Sequence, residues 1–248
     1  MNPLARWQAL RKEDAETANR IAWLFVLGGL VPVSLIVFSA GWAQWIKDTP
    51  KGPMMMATAH AFASNYMYVY IVAIIAAIML TRKLAAKLPN LGRCITMGAV
   101  AGAIATLALD GLRMIGVVKG WLPMDTPILF GTVILGPGSD PDAIYTVGLL
   151  YHILNGASFG LLYGLIWGHQ ETNRDALKAG IGMLLVVELG MMTLPPMQPM
   201  VGSFGLDHSW PNLFLITLAA HIAFGAVMAL IVQATARPIH TPNDEVTA

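Results

Sequence analysis

Three apolar segments of this chain, each long enough for a membrane helix, carry a histidine followed four residues later by a small residue. They are His60 with Ser64, His152 with Gly156, and His221 with Gly225. The segments preceding the last two each hold a carboxylate, Asp110 and Glu188. Titratable groups are costly inside a bilayer, so a set of them at one depth marks a candidate functional site. Imidazole nitrogen and carboxylate oxygen are ordinary ligands of zinc, copper and iron. Two or three histidines with one ligating acid, and a second acid accepting the other N–H of a histidine, would make a complete metal site. A divalent ion would also offset two buried carboxylates that otherwise need pairing or protonation.

The expected metal ligands are therefore His60, Asp110, His152, Glu188 and His221. Haem b is the alternative cofactor, held by two of His60, His152 and His221 on opposed faces. Methionines tilt the metal toward copper, because thioethers suit Cu(I). Met54, Met55 and Met56 open the second segment, while Met191, Met192, Met197 and Met200 crowd the end of the fifth. Arg113, one turn beyond Asp110, is the competing explanation, since an ion pair with Asp110 or Glu188 would be purely structural. His208 falls in a loop, and His169 and His240 fall on the opposite side, all three read as surface residues.

Small residues say which way these groups face. His152, Gly156, Gly160, Gly164 and Gly168 recur every four residues, as do Gly98, Gly102, Thr106 and Asp110, and His221, Gly225 and Ala229. Such stripes let helix backbones approach closely where lipid supplies no hydrophobic drive. The polar groups on them should face the bundle interior. At about 1.5 Å per residue, the histidines lie roughly 10 to 15 Å below one interface, and the acids reach a comparable depth from the other direction.

The elements that position them follow from composition. Apolar residues make up 56% of the 248-residue chain and charged residues 12%, about half the charged share of a soluble domain. Runs of about 20 apolar residues are needed per crossing. Six are present, at 21–45, 54–80, 94–118, 143–168, 177–197 and 212–234. The fold expected is an all-α bundle of six transmembrane helices, with an amphipathic segment at 1–20, the membrane domain at 21–236 and a tail at 237–248. The first run is too long for a signal-peptide core and lacks a cleavage site. Arginine and lysine gather before the first span, after the second and fourth, and after the last. The positive-inside bias then places both termini in the cytoplasm of a bacterial inner membrane. The stretch from Trp121 to Asp142 has an apolar middle too short to span and is expected to be interfacial or re-entrant.

A net charge of +1 leaves no nucleic-acid footprint, and the single cysteine, Cys94, excludes an internal disulfide and any multi-cysteine metal site. No nucleophile motif, phosphate loop or nucleotide fingerprint is present. Ala101-Gly102 precedes Asp110, and Ala179-Gly180 precedes Glu188, by the same interval. The chain thus reads as helical hairpins in parallel repeat, acid on the first helix and histidine on the second, a pattern that places sites between repeats. From Gly98 to Ala229, on His152-Ile-Leu-Asn-Gly156 and the glycines that follow, the chain resembles small bacterial polytopic membrane proteins of unknown function, which imply no activity. The classes left are a metal- or haem-binding membrane subunit, an ion, proton or small-solute transporter, and a structural anchor. Its partners would be the lipid bilayer, a membrane or periplasmic protein, and a second copy of the chain across the glycine stripe.

Overall fold

The computed structural model of the chain describes residues 3–45, 53–195 and 197–237. Lys47, Lys51, Pro196, His240 and the tail from 238 lie outside the described residues, as do the side chains of Arg6 and Met54. Helices are the only regular elements among the described residues: α1 (Pro3–Glu13), α2 (Ala15–Leu24), α3 (Val31–Trp45), α4 (Pro53–Lys87), α5 (Pro89–Val118), α6 (Thr126–Leu135), α7 (Pro141–Ile166), α8 (Asn173–Thr193), α9 (Met197–Val201) and α10 (Asn212–Thr235). Six spans are long and apolar enough to cross a membrane: 15–44, 55–87, 89–118, 141–166, 173–193 and 212–235.

The first crossing joins α2 and α3 through one wide π turn at Phe25–Leu30. Pro32 cannot donate a backbone hydrogen bond, and a widened turn just before it absorbs the missing bond. Its carbonyl is used instead by α7, since Tyr151 donates its hydroxyl to Pro32 O at 2.9 Å. The expected polar connection after the second span is helix. Arg82, Lys83 and Lys87 belong to α4 and Arg93 to α5, with only Leu88 between the two helices. Pro89, in the first turn of α5, forbids a continuous helix and makes that corner.

Both described chain ends lie at that corner. Trp7 and Leu10 of α1 pack with Leu84 and Leu88, while Cys94 Sγ reaches Arg237 O at 3.3 Å. Asp14 caps α2 through Thr17 N and pairs with Lys87. The Lys87 ammonium and the Thr17 donors lower its pKa to about 2.

At the opposite end, the apolar stretch expected to be interfacial is the ten-residue α6, which packs against α7 and α4. It is too short to cross and fits a helix lying within one end of the bundle. Short helices likewise occupy much of the loop before α10.

Among the described residues three helix pairs are packed backbone to backbone, α6 with α7 through Gly131 and Gly148 and two more that carry the expected site residues. A Cβ added at Gly102 of α5 would stand 2.0 Å from Gly156 O of α7, and one at Gly180 of α8 would stand 2.4 Å from Gly225 O of α10. Nothing larger than hydrogen fits there, so these glycines set how near the facing helices come. The outward faces are apolar, with Val72, Ile75 and Ile78 of α4 and Leu107 of α5 all exposed, as lipid contact requires. Gly102→Ala should lower stability by about 1–3 kcal/mol through overpacking. Gly111→Ala, where an added Cβ meets nothing within 4 Å, should be neutral or stabilising. Denaturant titration of both variants in the same detergent checks the difference.

Candidate intramembrane ligand site

The close pairs α5/α7 and α8/α10 each bring one acid to one histidine. Eight residues beyond Gly102 on α5, Asp110 Oδ1 lies 3.3 Å from Nδ1 of His152, which precedes Gly156 by four residues. Eight residues beyond Gly180 on α8, Glu188 Oε2 lies 2.9 Å from Nδ1 of His221, which precedes Gly225 by four. In both pairs the glycine contact and the acid–imidazole contact sit at the same intervals along their helices.

Glu188 is 1% exposed, and no lysine or arginine pairs with it among the described residues. Thr217 donates its hydroxyl to Glu188 Oε1 at 2.7 Å. Nδ1 of His221 is also 2.9 Å from Thr217 O, the better aligned of its two oxygen neighbours. Two acceptors around Nδ1 require a proton there. Assigned from those neighbours, neutral His221 is the Nδ1–H tautomer, and Nε2 holds the lone pair. At His152 the carboxylate of Asp110 stands beside Nδ1 at a longer distance, without a hydrogen bond of good geometry, and its charge favours the same tautomer.

Asp110 is the more heavily compensated acid. Arg113 reaches its Oδ1 through Nε and Nη2, each at 3.0 Å, and grips Asp125 at the start of α6 through Nη1. The expected Arg113–Asp110 pair is thus present, while the alternative with Glu188 is not. Asp125 is not among the residues that the histidine–acid pattern selects; its place before Thr126-Pro127 at a helix start is the signal for it in the sequence.

His152 and His221 both line one cavity of about 340 Å³, at the low end of the roughly 300–1,000 Å³ usual for small-molecule sites. Its walls are mostly apolar, with Ile36 and Val37 from α3, Phe130 from α6, Phe159 from α7 and Phe224 from α10. Polar lining comes from Thr106, Arg113, Asn155 and Thr217 beside the two imidazoles. No hydrogen bond reaches Nε2 of either ring among the described residues. Asn155, three residues beyond His152, has its Oδ1 buried without a hydrogen-bond partner. Its position on the helix face carrying His152 was the signal for it in the sequence.

The five expected ligands do not form one cluster. Among the described residues no three His, Cys, Asp or Glu side chains converge on a point that could hold a metal ion. His60 stands apart on α4: its Nδ1 is 3.1 Å from Val133 O of α6 and its Nε2 is 3.5 Å from Ser64 Oγ. Of the methionines, Met191 and Met197 line the cavity, whereas Met192 is packed beside Val201 and Leu213, and Met55 in the α3/α4 core. His208 is exposed, and the His169 and Gln233 side chains meet at the other end of the bundle, 3.5 Å apart. Comparison of the chain with protein-family models, curated proteins and solved structures finds no match.

Arg113→Met leaves Asp110 and Asp125 buried without their shared cation and should cost about 3–5 kcal/mol. Adding Asp110→Asn and Asp125→Asn to it should recover most of that loss. Unfolding midpoints of the single and triple variants in one detergent provide the check.

Proposed function

We propose that this protein is a multi-pass membrane subunit that holds a metal centre within the bilayer through Nε2 of His152 and His221. The observation that carries the reading is the shared posture of the two rings. Each turns Nδ1 to a carboxylate on the neighbouring helix and borders the same cavity. Histidines that bind metals nearly always give their other N–H to a carboxylate or carbonyl, which fixes the tautomer and raises the basicity of the ligating nitrogen. Glu188 supplies the energetic side of the case. With no lysine or arginine to pair with, its charge is best offset by a cation one imidazole away.

The donor set narrows the centre. Two imidazoles without a third convergent nitrogen, oxygen or thiolate ligand leave a bare ion short of protein ligands. Iron in a macrocycle needs only axial imidazoles, and an apolar cavity flanked by Phe159 and Phe224 suits its ring. Copper is the second reading, favoured by Met191 and Met197 on the same cavity wall, since imidazole and thioether together suit Cu(I). The two hairpins, α5 with α7 and α8 with α10, act as related halves around the site. Arg11, Lys12, Lys87, Arg93 and Arg174 belong to the end that holds the termini. That distribution supports cytoplasmic termini, a site in the outer half, and a bacterial inner membrane.

The test is elemental analysis and an absorption spectrum of one gently purified sample. Near-stoichiometric iron with a Soret band identifies the macrocycle, and copper without that band identifies the thioether-assisted ion. His152→Ala and His221→Ala should each lose most of the metal, and His60→Ala should keep it. A colourless, metal-free protein overturns the reading and leaves the acid–histidine pairs as interhelical ties.

A further inference from the structure

The cavity is bordered by α3 on one side and α8 on the other, with Leu122, Leu194, Pro195 and Met197 at its loop end. Helix α3 packs on α4, α6 and α7, and α8 packs on α10 and α9, so that α3 and α8 barely touch among the described residues. At the rim α3 instead meets the chain beyond α8, where Gln44 Nε2 reaches Gln198 Oε1 of α9 at 3.5 Å and Pro195 lies 3.9 Å from a Cβ placed on Gly41. Below that rim, Val33, Ile36 and Val37 of α3 and Val187, Gly190 and Met191 of α8 border the cavity. A Cβ added at Gly190 would meet nothing within 4 Å. These edges are apolar, so a route between them presents no polar side chain to a molecule dissolved in the membrane.

The polar atoms inside define what such a molecule must carry. Asn155 Oδ1 is buried and unpartnered, and the tautomers assigned above leave Nε2 of His152 and His221 as lone-pair acceptors. All three atoms accept, while Arg113 on the same wall turns its fork to Asp110 and Asp125. A ligand offering only carbonyl oxygens would leave them unsatisfied, whereas one with hydroxyl groups would satisfy them. Phe130, Phe159 and Phe224 provide aromatic walls for a flat ring.

We infer that the cavity binds a membrane-dissolved hydroxylated ring of the quinol class, admitted between α3 and α8 and anchored by a hydroxyl donating to Asn155 Oδ1. The inference rests on the ligand-facing cavity proposed above but does not require a metal in it. If Nε2 of both histidines is occupied by a copper ion, Asn155 holds the ring beside it, whereas a macrocycle would take the ring's place. If those nitrogens are open, they accept from the same ligand.

The experiment measures binding of a decyl-tailed quinol and of its oxidised quinone to the full chain in phospholipid nanodiscs, against empty discs. Iron and copper are determined on the same sample. Saturable binding is expected, with the quinol tighter than the quinone by about tenfold, the worth of one good hydrogen bond to a buried acceptor. Asn155→Leu, close in volume, should weaken quinol binding by about tenfold while its melting temperature stays near that of the parent. Gly190→Trp, placed in the gap, should slow uptake. Absence of binding above empty discs overturns the inference, as does a quinone preference, or unchanged affinity in a folded Asn155→Leu protein. Quinol binding to metal-free protein leaves this inference standing and defeats the metal reading; metal without quinol binding does the reverse.

Discussion

A carboxylate buried among helices in lipid has to find a cation, a proton or a set of donors, because no water is at hand to solvate it. Asp110 and Glu188 meet that constraint by different routes, and much of the bundle's interior is arranged around them. Asp110 shares Arg113 with Asp125, which ties α5 to the start of α6. Among the described residues Glu188 has only the Thr217 hydroxyl on Oε1 and the His221 ring near Oε2, both on α10. Neutral donors stabilise a charge less than a guanidinium does. The α8/α10 pair is therefore the one whose charge balance depends most on what binds next to it.

The glycines make these arrangements possible. An acid and a histidine on neighbouring helices meet at about 3 Å only if the helix axes are near, and side chains at the crossing would hold them apart. Gly102 against Gly156, and Gly180 against Gly225, remove that obstacle one to two turns away from each acid–imidazole contact. The same packing turns both rings toward the space between the hairpins. Helix α6 then closes part of that space with Phe130, whose ring centroid is 5.4 Å from that of His152, and α3 borders it without sealing against α8. Close packing, charge compensation and an accessible cavity are in this sense one construction.

Much of this architecture is legible in the sequence. Run length is enough for the six crossings, and the fenced apolar stretch after Trp121 is recognisable as too short to span. Periodicity also places Asp110, His152, Glu188 and His221 on small-residue faces. Depth along a helix, however, gives one coordinate, and convergence needs the angular position as well. Counted along its span, His60 matches the other histidines, yet its ring turns to Val133 on α6. Arg113 has two acids within reach of its fork, and only the folded position of α6 reveals that the second is Asp125. Asn155 was visible beside His152, but its burial without a partner depends on how α7 is covered by its neighbours.

The state of the two imidazoles lies at the centre of both the proposed metal site and the proposed ligand preference. Solid-state nitrogen NMR of the protein labelled with ¹⁵N-histidine, with His152→Gln and His221→Gln variants to assign the signals, reads it directly. Both rings should carry the proton on Nδ1, with Nε2 unprotonated in metal-free protein and shifted by coordination when metal is present. Signals showing the proton on Nε2 of either ring, with Nδ1 bare beside its carboxylate, would contradict it.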